Sequence, residues 1–168
     1  ETGKMQLEEQ PASGDGKGAD GGLSGEAAEE FTTVYKTDME SVHFFMALVD
    51  ASKTNINALK IRLSDFNTKY FYTAQLKINS IVYQGDIQLI TVGNFENAEK
   101  ARNYYESLIN DNYVTSQIND VQASVFTISV DNYPIFYREK NIEDYYKYFS
   151  TVYLGKSLDD DENEGEDE

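Results

Sequence analysis

The feature that most constrains the fold of this chain is an apolar, β-branched run that leads into a helical stretch, and this pattern occurs twice. The first copy comprises the run 43–49 and the helical stretch 56–66, and the second comprises the run 87–92 and the helical stretch 98–109. A further strand follows each unit, so the predicted element order is βαββαβ. The pattern therefore predicts an α+β, ferredoxin-like sandwich, with a four-stranded antiparallel sheet and helices on one face.

Periodicity and turn chemistry place the strands. Residues 42–49 form a continuous apolar run, which predicts a strand buried on both faces. Residues 76–83 are predicted to form the second strand, joined through a tight turn at Gly85 to the third. Residues 121–130 are predicted to contain the fourth strand, and 124–130 is its clearest part.

The helices show apolar residues spaced three and four apart. Thr54 or Asn55 is expected to cap the first helix, and Asn97 is expected to cap the second. A third helix is predicted from about Ile142, packed at a sheet edge or on the same layer as the other two.

The charge distribution separates a domain from two acidic ends. Residues 1–30 carry eight acids and two lysines, and residues 159–168 carry eight acids and no base, so only −2 of the formal −16 belongs to residues 31–158. All 22 aromatic residues lie within that middle part. We therefore expect a glycine- and acid-rich tether over 1–30, a packed domain over 31–157 and a disordered acidic tail over 158–168.

The same composition disfavours several partners. No basic stripe is present to neutralise phosphates, so nucleic acid is not an expected ligand. No run approaches the length of a bilayer span, and the net charge opposes attraction to an anionic membrane, so direct membrane insertion is not expected. The chain begins without a signal peptide, and we interpret it as a piece of something longer.

Catalytic and metal-binding patterns are sparse. The chain has one histidine, His43, and no cysteine, which leaves too few ligands for the usual zinc sites and no evident nucleophile–base pair. Glycine-rich phosphate-binding motifs do not occur, and no pair of carboxylates stands out for glycoside hydrolysis. The prediction is that the chain is not an enzyme and takes no cofactor or metal.

Two families share patterns with this chain. Residues 90–101, Ile-Thr-Val-Gly-Asn-Phe-Glu-Asn-Ala-Glu-Lys-Ala, resemble the strand-Gly-x-Phe-x-x-x-x-x-Ala pattern of sporulation-related (SPOR) domains. These are ferredoxin-like modules that bind peptidoglycan glycan strands lacking stem peptides. The resemblance implies glycan binding through the uncovered sheet face.

A longer resemblance covers residues 42–156. It is similar to the C-terminal module of the SprE- or PorW-like tetratricopeptide-repeat lipoproteins of the Bacteroidota, which serve gliding motility and type IX secretion. The segments that carry it include 43–49, 56–60, 64–67, 93–98, 126–129 and 144–149. This resemblance implies a periplasmic or outer-membrane-associated setting in the bacterial cell envelope.

The leading hypothesis is therefore a non-catalytic binding module that contacts a protein partner in an outer-membrane or secretion-associated assembly. Its expected surface is the open sheet face, with these candidate binding residues: Phe44, Met46, Gln88, Leu89 and Thr91. The alternatives are peptidoglycan glycan binding by the same face, for which Gln88 and Thr91 supply the polar groups, and a structural spacer. The third helix or a second copy covering this face is an equally open possibility.

Overall fold

The computed structural model describes residues 32–157, so the predicted tether over 1–30 and the acidic tail over 158–168 lie outside the described residues. The strands are β1 (His43–Asp50), β2 (Lys77–Gln84), β3 (Ile87–Phe95) and β4 (Val125–Ser129). The helices are α1 (Ile56–Tyr70), α2 (Ala98–Ile109), α3 (Asn112–Thr115), α4 (Val121–Ser124), α5 (Asn132–Glu139) and α6 (Ile142–Val152).

The four strands form one antiparallel sheet in the order β2-β3-β1-β4. Helices pack on it, and the α+β, ferredoxin-like prediction is confirmed. The hairpin between β2 and β3 turns at Gly85, which has a φ of 56°, a conformation that costs glycine little. The fourth strand, Val125–Ser129, lies within the predicted range 121–130, and residues 121–124 before it form the short α4.

The core between the sheet and α1 and α2 centres on Tyr104 of α2. Its fully buried ring lies 5.2 Å from Phe45 of β1 and 5.5 Å from Phe66 of α1, measured between ring centroids. Edge-to-face contacts of this kind add to the burial energy of large rings. Side-chain oxygens of Asn55 and Asn97 accept the backbone N–H of Ala58 and Lys100, so both helices begin at the predicted caps.

The edge strand β4 is covered by α6. Tyr145 of α6 donates its hydroxyl to the carbonyl oxygen of Thr127 over 2.7 Å, and Phe149 lies 5.6 Å from Phe126. Unpaired edge groups otherwise invite pairing with another chain, and α6 prevents this along β4. No helix among residues 32–157 is both long and apolar enough to cross a bilayer.

Candidate functional site

Four of the five residues predicted to bind a partner share one face of the sheet. The register places Met46 opposite Thr91 and Leu48 opposite Leu89, and Phe44 lies on the same face because side chains alternate along a strand. Gln88 is paired with Val49 and lies on the opposite face, towards α1 and α2. The structure therefore does not bring the five predicted residues together on one surface.

The predicted face is not open. Met46 and Leu89 are fully buried, Thr91 is buried, and the half-buried Phe44 lies 5.9 Å from the ring of Tyr133 in α5. Phe126, which is paired with Met46, contacts α6. Helices α5 and α6 cover this face, so of the possibilities left open by the sequence, the structure shows the covered one.

Helix α5 is the element that sequence reasoning missed. It contains Pro134, which suggests a turn, but the proline occupies the first helical turn, where its missing N–H would have no helical partner. Phe136 of α5 is fully buried, and its ring stacks on Tyr83 of β2 at 5.2 Å. The signal that could have revealed this cover is the continuous apolar run of β1, which requires burial on both faces.

Among residues 32–157, with that face covered, β2 is the accessible part of the sheet. Ile81 is 42% exposed and Val82 is 61% exposed, and the two side chains point to opposite faces of the sheet. Side chains from α5 and from Lys140, which follows it, contact the last part of β2. Tyr137 donates to Val82 O over 3.4 Å, and Lys140 Nζ donates to Tyr83 O over 2.7 Å. In the part of the chain that the structure describes, residues 77–82 are therefore an open strand edge, which ends where Tyr137 and Lys140 contact Val82 and Tyr83.

The hydrogen-bonding direction of β2 follows from the contact to α5. The carbonyl of Val82 accepts from Tyr137 and so points away from β3. Along an antiparallel edge strand, alternate residues turn both backbone groups outward. Ile78 and Ser80 therefore present their N–H and C=O groups to the exposed side, and Val82 presents its N–H there while its carbonyl accepts from Tyr137.

A groove of about 270 Å³ lies between α1 and this edge. It combines apolar walls from Phe71, Leu76 and Ile78 with the polar side chains of Thr68 and Gln75. The exposed ring of Tyr72 stands beside it. A groove that adjoins an unpaired strand can receive side chains from a strand added to that edge.

One of the polar residues that line the groove, Asn67, is almost completely buried. This residue is 8% exposed, and its Oδ1 accepts the hydroxyl of Tyr104 over 2.7 Å. Its Nδ2 has no hydrogen-bond partner among the described residues. A buried donor without a partner costs free energy.

Two lysines lie near the groove along the chain, and neither is among its lining residues. Lys60 shares one stripe of α1 with Ser64 and Asn67, whereas Lys77 pairs with Gly93, so its side chain lies on the opposite face of the sheet from Ile78. No carboxylate lines the groove among the described residues. The nearest acidic side chain of this part of α1, Asp65, instead accepts the hydroxyl of Tyr113 on the α3 side over 2.9 Å.

His43 occupies a closed environment. Its Nδ1 donates to Ser41 O over 2.7 Å, and its Nε2 accepts the hydroxyl of Tyr153 over 2.8 Å. Burial lowers the pKa of the His43 imidazole, so the neutral form is favoured. Within residues 32–157, no three His, Cys, Asp or Glu side chains converge to form a group that could hold a metal ion.

Comparisons of the chain with protein-family models, with curated proteins and with solved structures found no match.

Proposed function

We propose that this chain is a non-catalytic docking module that binds a protein partner by strand addition to β2. The observation that carries the proposal is the edge 77–82, which keeps outward backbone groups and the exposed side chains of Ile81 and Val82. Main-chain hydrogen bonds to such an edge supply affinity, and neighbouring pockets supply specificity. The other sheet edge, β4, is covered by α6, so a partner strand can pair with β2 but not with β4.

The proposal replaces the binding surface expected from the sequence. Phe44, Met46, Leu89 and Thr91 lie under α5 and α6, and a partner could reach them only if those helices moved. The edge of β2 needs no such movement. The glycan-binding alternative used the same covered face, so it loses its expected site as well.

The non-catalytic role and the cell-envelope setting are each supported by a different observation. The closed setting of His43, between Ser41 O and the Tyr153 hydroxyl, supports a structural role for the chain's one histidine and hence a non-catalytic module. The bacterial cell envelope, with a partner in an outer-membrane or secretion-associated assembly, rests on the resemblance of residues 42–156 to the Bacteroidota lipoprotein module.

Site-specific photo-crosslinking tests the proposal. A benzophenone amino acid is placed at Val82, and the full chain is exposed to periplasmic and outer-membrane fractions of a bacterium that makes it. Ile61 of α1 is the matched control, because both side chains are 61% exposed. The proposal predicts a discrete protein adduct from position 82 and none from position 61.

A second pair of positions strengthens the comparison. Ile81 of β2 is 42% exposed, and Val130, which follows β4 at the opposite edge, is 44% exposed. Equal adducts at Ile81 and Val130, or no adduct from β2, would contradict docking at this edge. Co-sedimentation with peptidoglycan stripped of stem peptides, unchanged by Val82→Asp, would favour the glycan alternative instead.

A further inference from the structure

We infer that Tyr137 and Lys140 form a stop at one end of the β2 edge, which limits the length of the strand that a partner can add. This inference rests on the proposed function and adds the kind of partner that fits the edge. The two side chains bond backbone carbonyls that a longer strand would otherwise use. The partner that fits is an extended segment of about six residues, which ends or turns away opposite Val82.

The first half of the stop is the hydroxyl of Tyr137. It donates over 3.4 Å to the carbonyl oxygen of Val82, which points away from β3. A backbone N–H of an added strand would bond the same oxygen from about 2.9 Å. The Tyr137 hydroxyl therefore lies where the partner's donor would lie, whereas the N–H of Val82 still faces outward.

The second half of the stop is the ammonium group of Lys140. Its Nζ donates to Tyr83 O over 2.7 Å and lies 4.0 Å and 3.6 Å from the ring centroids of Tyr83 and Tyr137. The faces of aromatic rings attract a cation at such distances. A partner's backbone amide would have to displace a cation held by one oxygen and two rings, in exchange for a single hydrogen bond.

The backbone positions Lys140 for these contacts. Lys140 follows α5 with a φ of 56°, and its N–H donates to Phe136 O over 3.2 Å, which ends the helix. A left-handed backbone costs lysine more free energy than glycine, so a side chain is present where glycine would be the more stable choice. Phe136 in turn stacks on Tyr83, so the residue is tied to β2 through its side chain and through the helix that it ends.

The groups on either side of the stop define the partner. Before the stop, Ile78 and Ser80 turn their N–H and C=O groups outward. Beyond it, the carbonyls of Val82 and Tyr83 are already bonded. A strand that continued past Val82 would bring backbone donors to carbonyls that are occupied, and buried donors without partners cost free energy. A chain end or a turn at that point avoids the cost.

The test measures how binding depends on peptide length. Capped peptides of four, six and eight residues alternate threonine with valine, because no charged residue lines the adjoining groove among those described. Each is titrated into the full chain, and the backbone amide shifts of β2 are followed by NMR. We expect affinity to rise from four residues to six and to stay level from six to eight, with no shift at Tyr83 or Gln84.

Variants connect that limit to the two side chains. Tyr137→Ala combined with Lys140→Gly removes the stop, so the eight-residue peptide should bind about tenfold more tightly than the six-residue peptide and shift Tyr83 and Gln84. Lys140→Gly alone is the variant with the least risk to folding, because glycine adopts the left-handed φ readily, and it should give part of the gain.

The matched control is a second lysine–tyrosine contact. Lys69 Nζ lies 4.7 Å from the ring centroid of the exposed Tyr70 at the end of α1, and neither residue lines the groove. Lys69→Ala combined with Tyr70→Ala should leave the length dependence of the unmodified chain unchanged. The same gain for the eight-residue peptide in this control would overturn the inference.

The remaining outcomes separate this inference from the function on which it rests. Binding that stays level from six to eight residues after the stop is removed would overturn the stop and leave edge docking intact. An equal gain for all three peptides would mean that the variant loosens the fold, and it would overturn the inference as well. No binding by any peptide would also overturn it, while crosslinking from Val82 would still decide the proposed function.

Discussion

Phe136 of α5 stacks on Tyr83 of β2, with ring centroids 5.2 Å apart and ring planes inclined by 15°. This contact joins the helix over the second sheet face to the strand at the sheet's exposed edge. Tyr83 is buried as a result, whereas its neighbour Val82 remains exposed. The same contact therefore closes the face that the sequence suggested as a binding surface and ends the open edge at residue 82.

Phe136→Ala is predicted to destabilise the fold by about 3–5 kcal/mol, because a fully buried ring is replaced by a cavity. Urea unfolding followed by circular dichroism measures the change. Tyr72→Ala removes a ring that is largely exposed and should change the free energy of unfolding by less than about 0.5 kcal/mol. Similar small losses for both variants would show that α5 does not cover the sheet.

His43 is predicted to make stability depend on pH. Burial lowers its pKa from the ordinary 6.5, so below about pH 6.5 the unfolded chain takes up a proton that the folded chain resists. The free energy of unfolding should therefore be level above that pH and fall as the pH drops towards about 5.

The pH effect can be assigned to one residue because His43 is the only histidine in the chain. His43→Gln should show a flatter free energy of unfolding between about pH 5 and 6.5, whatever its stability at neutral pH. Urea unfolding at several pH values makes the comparison. The same slope in both proteins would place the titrating group elsewhere.

Tyr104→Phe is predicted to cost about 1–3 kcal/mol, because Asn67 Oδ1 would lose its hydrogen bond while remaining buried. Burial also raises the pKa of the Tyr104 hydroxyl, which keeps it protonated as a donor at all ordinary pH values. Tyr105→Phe, a buried neighbour on α2, is the matched control and should cost less. Equal losses would show that the Tyr104–Asn67 bond contributes nothing.

Proline substitutions are predicted to differ sharply between adjacent residues of β2. Ser80 turns its N–H outward, so Ser80→Pro removes no ladder bond and should cost less than about 1 kcal/mol. Asn79 is paired with Thr91 and turns its N–H towards β3, so Asn79→Pro should cost about 3 kcal/mol. If Ser80→Pro lowers the free energy of unfolding more than Asn79→Pro does, then the N–H of Ser80, and not that of Asn79, points towards β3.

The elements with strong local signals could be predicted from the sequence. The apolar runs of β1 and β3, the stripe of α1 and the caps Asn55 and Asn97 each depend on neighbouring residues, and the right-handed crossovers then determine the strand order. Helix α5 could not be predicted in this way. It is short and contains Pro134, and its stability depends on Phe136 packing against Tyr83 from a distant strand.

The candidate site depends on contacts that no local pattern reveals. Asn67 Oδ1 accepts from Tyr104, which is 37 residues away along the chain, and α6 contacts the edge of the sheet at β4 through Tyr145. Open-face binding was predicted from Leu89 and Thr91, with cover by the third helix or by a second copy as an equally open possibility. The fully apolar β1 was the available indication that both faces are buried.

Residue-resolved hydrogen exchange of the full chain, measured by NMR, tests whether the β2 edge is free to accept a strand. We expect rapid exchange at the outward amides of Ile78 and Ser80, with protection at Asn79 and Ile81, which bond to β3. Protection of Ile78 and Ser80 at every protein concentration would mean that the edge is already occupied and that β2 is not a docking site.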